Sequence, residues 1–286
     1  MSRGYFTIAQ GDAYHRMAYA LALSIKRSQK TTNKFAIGVT AEEKAKLKGT
    51  KYAEVFDEIV EIPWKDSAKD SEWKLENWWK AIHMTPWDET VGLDADMLFF
   101  EDHEEWWNIM AESPAAFCTK PVTYRGEIIT SDYYRKTFTD NELPNVYAAF
   151  FYFKKNDITF EFFKLCEVIF NNWARFHYEF LKPVNRPQYF STDVAFAIAA
   201  KILEFDKHYA HAFLNIPTFV HMKSQLQEWP NDVFMNEDWT KIVPVQFSPN
   251  CSLKINNFLQ TVPFHYFVKD FLTDEQIQYL EKAVGI

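Results

Sequence analysis

Apolar residues change their spacing repeatedly along the chain. Short continuous runs alternate with stretches in which they recur every three or four positions. Residues 5–9 form a β-rich run that Gln10-Gly11-Asp12 breaks. Asp12 is suited to cap a helix from about Ala13, in which Met17, Leu21 and Ile25 share one apolar face. Residues 35–39 predict the next strand and 41–47 the next helix. Residues 55–62 alternate apolar and acidic and stop at Pro63, the pattern of a strand near a sheet edge. Residues 72–84 predict a helix with Trp73, Trp78, Trp79 and Ile82 available for burial. A strand over 90–93 resumes over 97–100.

The second half is less regular. Residues 115–119 and 145–153 have the continuous apolar character of central strands. Between them, 120–144 is polar and aromatic, an excursion over the sheet. Asp157 is placed to cap a helix reaching about Tyr178, and 191–203 predict another. Near the end, Thr273-Asp274-Glu275-Gln276 has the capping-box pattern, with Leu272 and Ile277 at the staple positions around it.

A β-α-β-α-β opening argues for an α/β fold with a mainly parallel sheet flanked by helices. No repeat or low-complexity linker divides the chain. The expected organisation is therefore one domain over residues 1–225, in two halves near 1–118 and 119–225. A C-terminal extension, 226–286, packs on the same domain.

Composition removes several chemistries. Only 7 of 286 residues are glycine, against about 20 in an average chain of this length. Their positions allow no G-x-G-x-x-G, no phosphate-binding G-x-x-x-x-G-K-[ST] and no G-x-S-x-G elbow. Phe, Tyr and Trp make up 18% of the chain, and the adjacent pairs Trp78-Trp79 and Trp106-Trp107 are expected in the core. The net charge of −8 gives no general signal for nucleic acid. Cys118, Cys166 and Cys251 fit neither a zinc spacing nor a disulfide framework. The longest apolar stretch, 146–153, is too short to span a bilayer, and residues 1–7 carry no secretory pattern. The expectation is a cytoplasmic protein with no membrane partner.

The segment Val91-Gly92-Leu93-Asp94-Ala95-Asp96-Met97-Leu98-Phe99-Phe100 embeds two carboxylates between apolar strand halves. Burying them is costly. Alternate strand residues point the same way, so Asp94 and Asp96 are expected to face one ligand. Their mutual repulsion calls for a cation, and hard oxygen ligands suit Mg²⁺ or Mn²⁺. The end of a parallel strand is also where open α/β sheets bind ligands.

Leu93-Asp94-Ala95-Asp96-Met97-Leu98 resembles the D-x-D element of nucleotide-sugar-dependent glycosyltransferases with the GT-A fold, and among them the glycogenin-like, family 8 group. Phe6-Thr7-Ile8-Ala9-Gln10-Gly11-Asp12-Ala13-Tyr14 resembles that group's N-terminal signature. The resemblance implies a GT-A fold, a UDP-sugar donor and a Mn²⁺ or Mg²⁺ cofactor. It puts Ala9 and Tyr14 in the nucleobase pocket and Lys80 against the donor, with Lys74 as a weaker alternative. Asn145-Val146-Tyr147-Ala148-Ala149-Phe150-Phe151 resembles the strand beside the donor sugar, with bulkier residues where the family has Ser-Gly. In Phe190-Ser191-Thr192-Asp193-Val194-Ala195 only Asp193 matches the family's Asp-Gln-Asp element, which implies a catalytic role for it. Thr218-Phe219-Val220-His221-Met222-Lys223 fits the family's third metal ligand, His221, followed by a diphosphate-binding Lys223, without the usual glycine. Residues 262–269, with His265 and Lys269, are a second candidate for that element. The family retains anomeric configuration. The resemblance spans about residues 4–225.

Each residue also has an ordinary structural role open to it. Tyr14 is equally suited to start the buried face of its helix, Lys80 to be a solvated helix residue, and Asp193 to charge a helix N-terminus. A histidine on an apolar strand is commonly a core residue. Arg125, Tyr133, Tyr134 and Arg135 meet an acceptor if the excursion overhangs a site, and are solvated loop residues otherwise. The acceptor is open: saccharide, small molecule, protein or a modified nucleobase in DNA. Other readings are a nucleotidyltransferase, which lacks its usual triphosphate loop here, and a non-catalytic sugar- or nucleotide-binding protein.

Overall fold

The computed structural model describes residues 1–29, 33–72, 74–129, 135–223 and 239–286. The strands in chain order are β1 (Arg3–Ile8), β2 (Lys34–Val39), β3 (Glu58–Glu61), β4 (Glu89–Leu93), β5 (Met97–Leu98), β6 (Ala115–Cys118), β7 (Tyr147–Lys154), β8 (Val220–His221), β9 (Val245–Phe247), β10 (Leu253–Ile255), β11 (Phe258–Leu259) and β12 (Phe264–His265). The main sheet has the order β3-β2-β1-β4-β7-β6. Its first four strands are mutually parallel, whereas β7 runs antiparallel to both β4 and β6. This is the mixed, mainly parallel sheet the sequence pattern predicts. β3 is its edge strand and is half-exposed throughout.

Period-two alternation divides the core into two layers. In β7, Phe150 and Tyr152 join the layer under the Asp12–Ser28 helix, and Phe151 and Phe153 join the opposite one. The Asp12–Ser28 helix packs against the Asp274–Val284 helix on the first face. The Asp157–Asn171 and Thr192–Ile202 helices pack together on the second. The tail helix is capped as expected, with the Thr273 hydroxyl accepting from Gln276 N–H and the Gln276 side chain accepting from Thr273 N–H. Leu272 and Ile277 are both buried. Glycine is used at a close approach in the sheet: a Cβ on Gly92 would stand 2.4–2.9 Å from the ring of Phe151, its partner across β4 and β7.

Four local expectations change. Asp12 does not cap its helix; Gly11 is the N-cap, at φ 94°, and Asp12 lies in the first turn, where its charge meets the helix dipole. Residues 55–57 precede β3 instead of belonging to it. The helix expected over 72–84 is reduced to two short turns, Trp78–Lys80 and Ala81–Met84. Lys74 is in the left-handed region at φ 54°, and its ammonium donates to the carbonyls of Ala68 and Lys69, holding a loop. Trp73 lies outside the described residues. The helix from Asp157 is capped by Asn156 and breaks at Asn172, at φ −121°, beyond which Trp173–Arg175 and Phe176–Phe180 follow as short helical turns.

A second, three-stranded sheet matters most for the site. It has the order β5-β12-β8, with β12 antiparallel to β5 and parallel to β8. The segment expected as a C-terminal extension thus threads its strand β12 between β5 and β8. The 225/226 boundary itself lies outside the described residues.

Candidate metal and donor site

Asp94 and Asp96 occupy a tight turn between β4 and β5, rather than alternate positions of one strand. The turn is clamped from both sides. Asp94 N–H donates to Ala149 O at 2.9 Å, extending the β4–β7 pairing, and Tyr266 N–H donates to Asp96 O at 3.1 Å. Pairing of β12 with β5 sets His265 opposite Met97. His265 Nε2 is 3.1 Å from Asp96 Oδ1 and 3.9 Å from Asp94 Oδ2. The ligand atoms of Asp94, Asp96 and His265 lie within 4.8 Å of one another, the one group of this kind among the described residues. Burial and the neighbouring charge of Asp96 push the Asp94 carboxyl up to about 7. Burial also opposes ionisation of Asp96, but the charge and hydrogen bond of His265, with the charge of Lys223, outweigh it and hold Asp96 below the usual carboxylate range. Two carboxylates and an imidazole in this geometry fit a divalent cation.

His221, the expected third ligand, is not in that group. It sits in register with His265 on the adjacent strand, and the two rings stack with centroids 5.3 Å apart. Tyr147 and Phe219 contact His221 edge-on. Burial and the nearby positive groups hold its imidazole well below its usual range, as a neutral ring. The Nδ1 of His265 is buried and has no hydrogen-bond partner among the described residues.

The other expected residues separate into two sets. Tyr14 is half-buried, and its phenol is pushed up to about 12 by burial and by the charges of Asp96, Asp94 and Glu72. Lys269 Nζ stands 5.3 Å from the Tyr14 ring centre. Lys223, 5.0 Å from the Phe267 ring, adds positive charge at both aspartates. Ala9 is buried just past β1, its N–H donating to Gly38 O. Asp193 follows the N-cap Ser191 of its helix and accepts from Ala148 N–H at 2.8 Å and from Arg135 Nη1 at 2.6 Å. Its charge reaches Asp94.

Lys80 belongs to a different structure. It is fully buried, and its ammonium donates to Lys65 O at 2.6 Å and to Asn77 Oδ1 at 2.8 Å. Asn77 in turn donates to Gln10 and Asp66. Lys80 therefore ties the 65–77 loop to the end of β1 from within the protein.

One residue of the excursion, open from sequence between acceptor contact and solvated loop, is made prominent by the fold. Arg135, one of four residues left open in the excursion, lies with its guanidinium carbon 3.7 Å from the ring centres of both Phe138 and Tyr147. It also donates to Asn145 Oδ1 and to the Val146 carbonyl. Tyr133 and Tyr134 lie outside the described residues.

No protein-family model matches the chain, and no curated protein matches it. Among solved structures it is similar to the apo WbbM bifunctional glycosyltransferase, at 14% identity over 99% of this chain and 49% of that one, with TM-score 0.49. The chain thus spans about half the length of WbbM. It is similar to apo mouse xyloside xylosyltransferase 1, at 10% identity over 93% and 97% of the two chains, with TM-score 0.46. It is also similar to galactosyltransferase LgtC in complex with donor and acceptor sugar analogs, at 11% identity over 60% and 65%, with TM-score 0.40. No helix among the described residues is long and apolar enough to cross a membrane.

Proposed function

We propose that this chain is a metal-dependent glycosyltransferase that moves a sugar from a UDP-sugar to an acceptor hydroxyl with retention of configuration. The observation that carries the reading is the convergence of Asp94, Asp96 and His265 beyond the C-terminal end of the parallel strand β4. That is the edge at which open α/β sheets hold nucleotides and their phosphates. The donor set suits Mn²⁺, or Mg²⁺ with a less favoured nitrogen ligand. Nucleotide choice and retention rest on the D-x-D and N-terminal resemblance.

In this reading Asp94, Asp96 and His265 hold the cation, which when bound neutralises charge on the diphosphate as a Lewis acid. During transfer the bond from the anomeric carbon to the diphosphate oxygen breaks and the acceptor oxygen bonds to that carbon, its proton passing to the leaving diphosphate oxygen. Lys223 stabilises the negative charge gathering on the leaving diphosphate, and Lys269 adds to it from beside Tyr14. Tyr14 and the backbone at Ala9 receive the nucleobase. Positive charge grows on the sugar ring, as in glycoside hydrolysis. Asp193, oriented by Arg135 and Ala148 N–H, offers a carboxylate to it.

The test is a thermal-shift panel of UDP-, GDP-, CMP- and dTDP-sugars, each with and without Mn²⁺, followed by a donor-hydrolysis assay. A UDP-sugar is expected to stabilise the protein only with Mn²⁺ and to be slowly hydrolysed. Absence of any metal-dependent shift, or full activity in Asp94→Asn or Asp96→Asn, would overturn the assignment.

A further inference from the structure

Two connections approach one another beside the site. The 65–77 loop is anchored to the end of β1 through Asp66, Asn77 and Gln10. The segment before Asp193 is anchored by Phe190, whose ring packs on Phe170 and Trp173 at 4.8 and 5.0 Å. Between them Ser71, Glu72, Leu75, Glu76, Tyr189 and Phe190 line a cavity of 180 Å³. Clefts that engulf a drug-sized ligand run to roughly 300–1,000 Å³, so this one matches a single small ring.

Its lining is specific. Leu75 and Phe190 give apolar surface, and Tyr189, 64% exposed, offers an unburied aromatic face. Glu72, Glu76 and Ser71 offer oxygens. Glu76 Oε2 is sealed from solvent and has no hydrogen-bond partner among the described residues, so its carboxylate must turn toward the cavity before a bound hydroxyl can reach that oxygen. No Lys or Arg is among the described lining residues, and two carboxylates repel phosphates and nucleic acid. A pyranose meets these demands, with hydroxyl donors around its edge and C–H faces for an aromatic ring.

Two of the lining residues are near the site. Phe190 is three residues before Asp193, and the charge of Glu72 is felt at Tyr14, which also feels Asp94 and Asp96. We infer that this cavity is the acceptor subsite and takes one neutral saccharide unit, with Glu72, Glu76 and Ser71 binding hydroxyls and Tyr189 covering a ring face. The subsite assignment rests on the glycosyltransferase reading; the capacity for a saccharide rests on the cavity alone.

The experiment uses the full chain and two separate readouts. Saturation-transfer NMR follows binding of methyl α- and β-glycosides of glucose, galactose, xylose and N-acetylglucosamine. Calorimetry follows UDP binding in the presence of Mn²⁺. Both are run on the parent, on Tyr189→Ala, a surface change, and on Leu75→Trp, which fills the cavity, with thermal unfolding as the check on folding. At least one glycoside is expected to bind the parent and to weaken about tenfold, or 1.4 kcal/mol, in both variants while UDP affinity stays unchanged. If UDP binds but no glycoside does, or the variants bind glycosides as well as the parent, the subsite is overturned and the donor reading stands. If glycosides bind through the cavity but UDP does not bind, the donor reading fails and the cavity remains a saccharide site. Tighter binding of glucose 6-phosphate than of methyl glucoside would overturn the neutral class.

Discussion

His265 Nε2 lies 3.1 Å from Asp96 Oδ1, across a strand pairing that joins residues far apart in the chain. His221 is its neighbour in register and is stacked upon it, yet lies outside the cluster of ligand atoms. The two histidines are therefore separable by mutation. His265→Ala removes a ligand and is expected to weaken Mn²⁺ binding by about a hundredfold, roughly 2.8 kcal/mol at 1.4 kcal/mol per tenfold. His221→Ala removes only a packing partner, and about tenfold or less is expected, no more than the low end of the roughly ten- to hundredfold seen when hydrogen-bonded supporting groups around a metal site are lost. Calorimetric titration of each variant with Mn²⁺ checks this. A larger loss in His221→Ala would reverse the ligand assignment.

Proton and metal compete for Asp94. Its carboxyl is pushed up to about 7 by burial and by Asp96, against about 3.9 in an unfolded chain. The metal-free folded protein therefore binds more protons than the unfolded chain between about pH 4 and 7, and this contribution to stability falls as pH rises through that window. Asp96 is shifted the other way, so its contribution is lost on acidification below the usual carboxylate range. Metal binding must expel the Asp94 proton, so Mn²⁺ affinity is expected to fall about tenfold per pH unit below 7. Melting curves with and without Mn²⁺ over this range read both effects. An affinity for Mn²⁺ that is flat with pH would contradict the shared site.

Arg135 holds Asp193 with a planar fork clasped between two rings. Lysine keeps the charge but not the fork or the stacking. Arg135→Lys is expected to lower kcat by about ten- to a hundredfold, in line with loss of one oriented group, with UDP affinity little changed. Arg135→Ala should go further and cost about 1–3 kcal/mol of stability, below the 3–5 of a fully buried pair because the Asp193 side chain is 30% exposed. Single-turnover kinetics separate a positioning role, which moves kcat, from a donor contact, which moves KM.

Much of this architecture is legible in sequence because it is local or periodic. The parallel strands, the capping box at Thr273 and the helix from Thr192 follow from spacing alone. The Asp94–Asp96 pair is visible because carboxylates between apolar strand halves need an explanation. The third member is not legible in the same way. His221 and His265 both sit on short apolar strands ahead of a lysine, and only the order of β5, β12 and β8 decides which meets the aspartates. Periodicity also misleads at 72–84, where side-chain hydrogen bonds to the preceding loop and to Gln10 at the end of β1 override helix propensity. Arg135 is visible only as one of several excursion residues; its pairing with Asp193 is not, because its two aromatic partners and Asp193 come together only in the fold.

Lys80 is the sharpest disagreement between sequence pattern and fold, and it yields a test with opposite outcomes. A lysine that contacts the donor would, when replaced, cost affinity and leave stability intact. The buried Lys80 instead supplies the donors for Lys65 O and Asn77 Oδ1, and burial holds its ammonium below the usual range, against the charges of Asp66 and Glu167. Lys80→Met keeps the bulk of the side chain and strands both acceptors, which is expected to cost about 1–3 kcal/mol and to lower Tm by several degrees in a chain of this size. UDP affinity measured well below Tm should change by less than about threefold, under 1 kcal/mol. A tenfold loss of UDP affinity with unchanged Tm would return Lys80 to the donor pocket and require the 65–77 loop to open on binding.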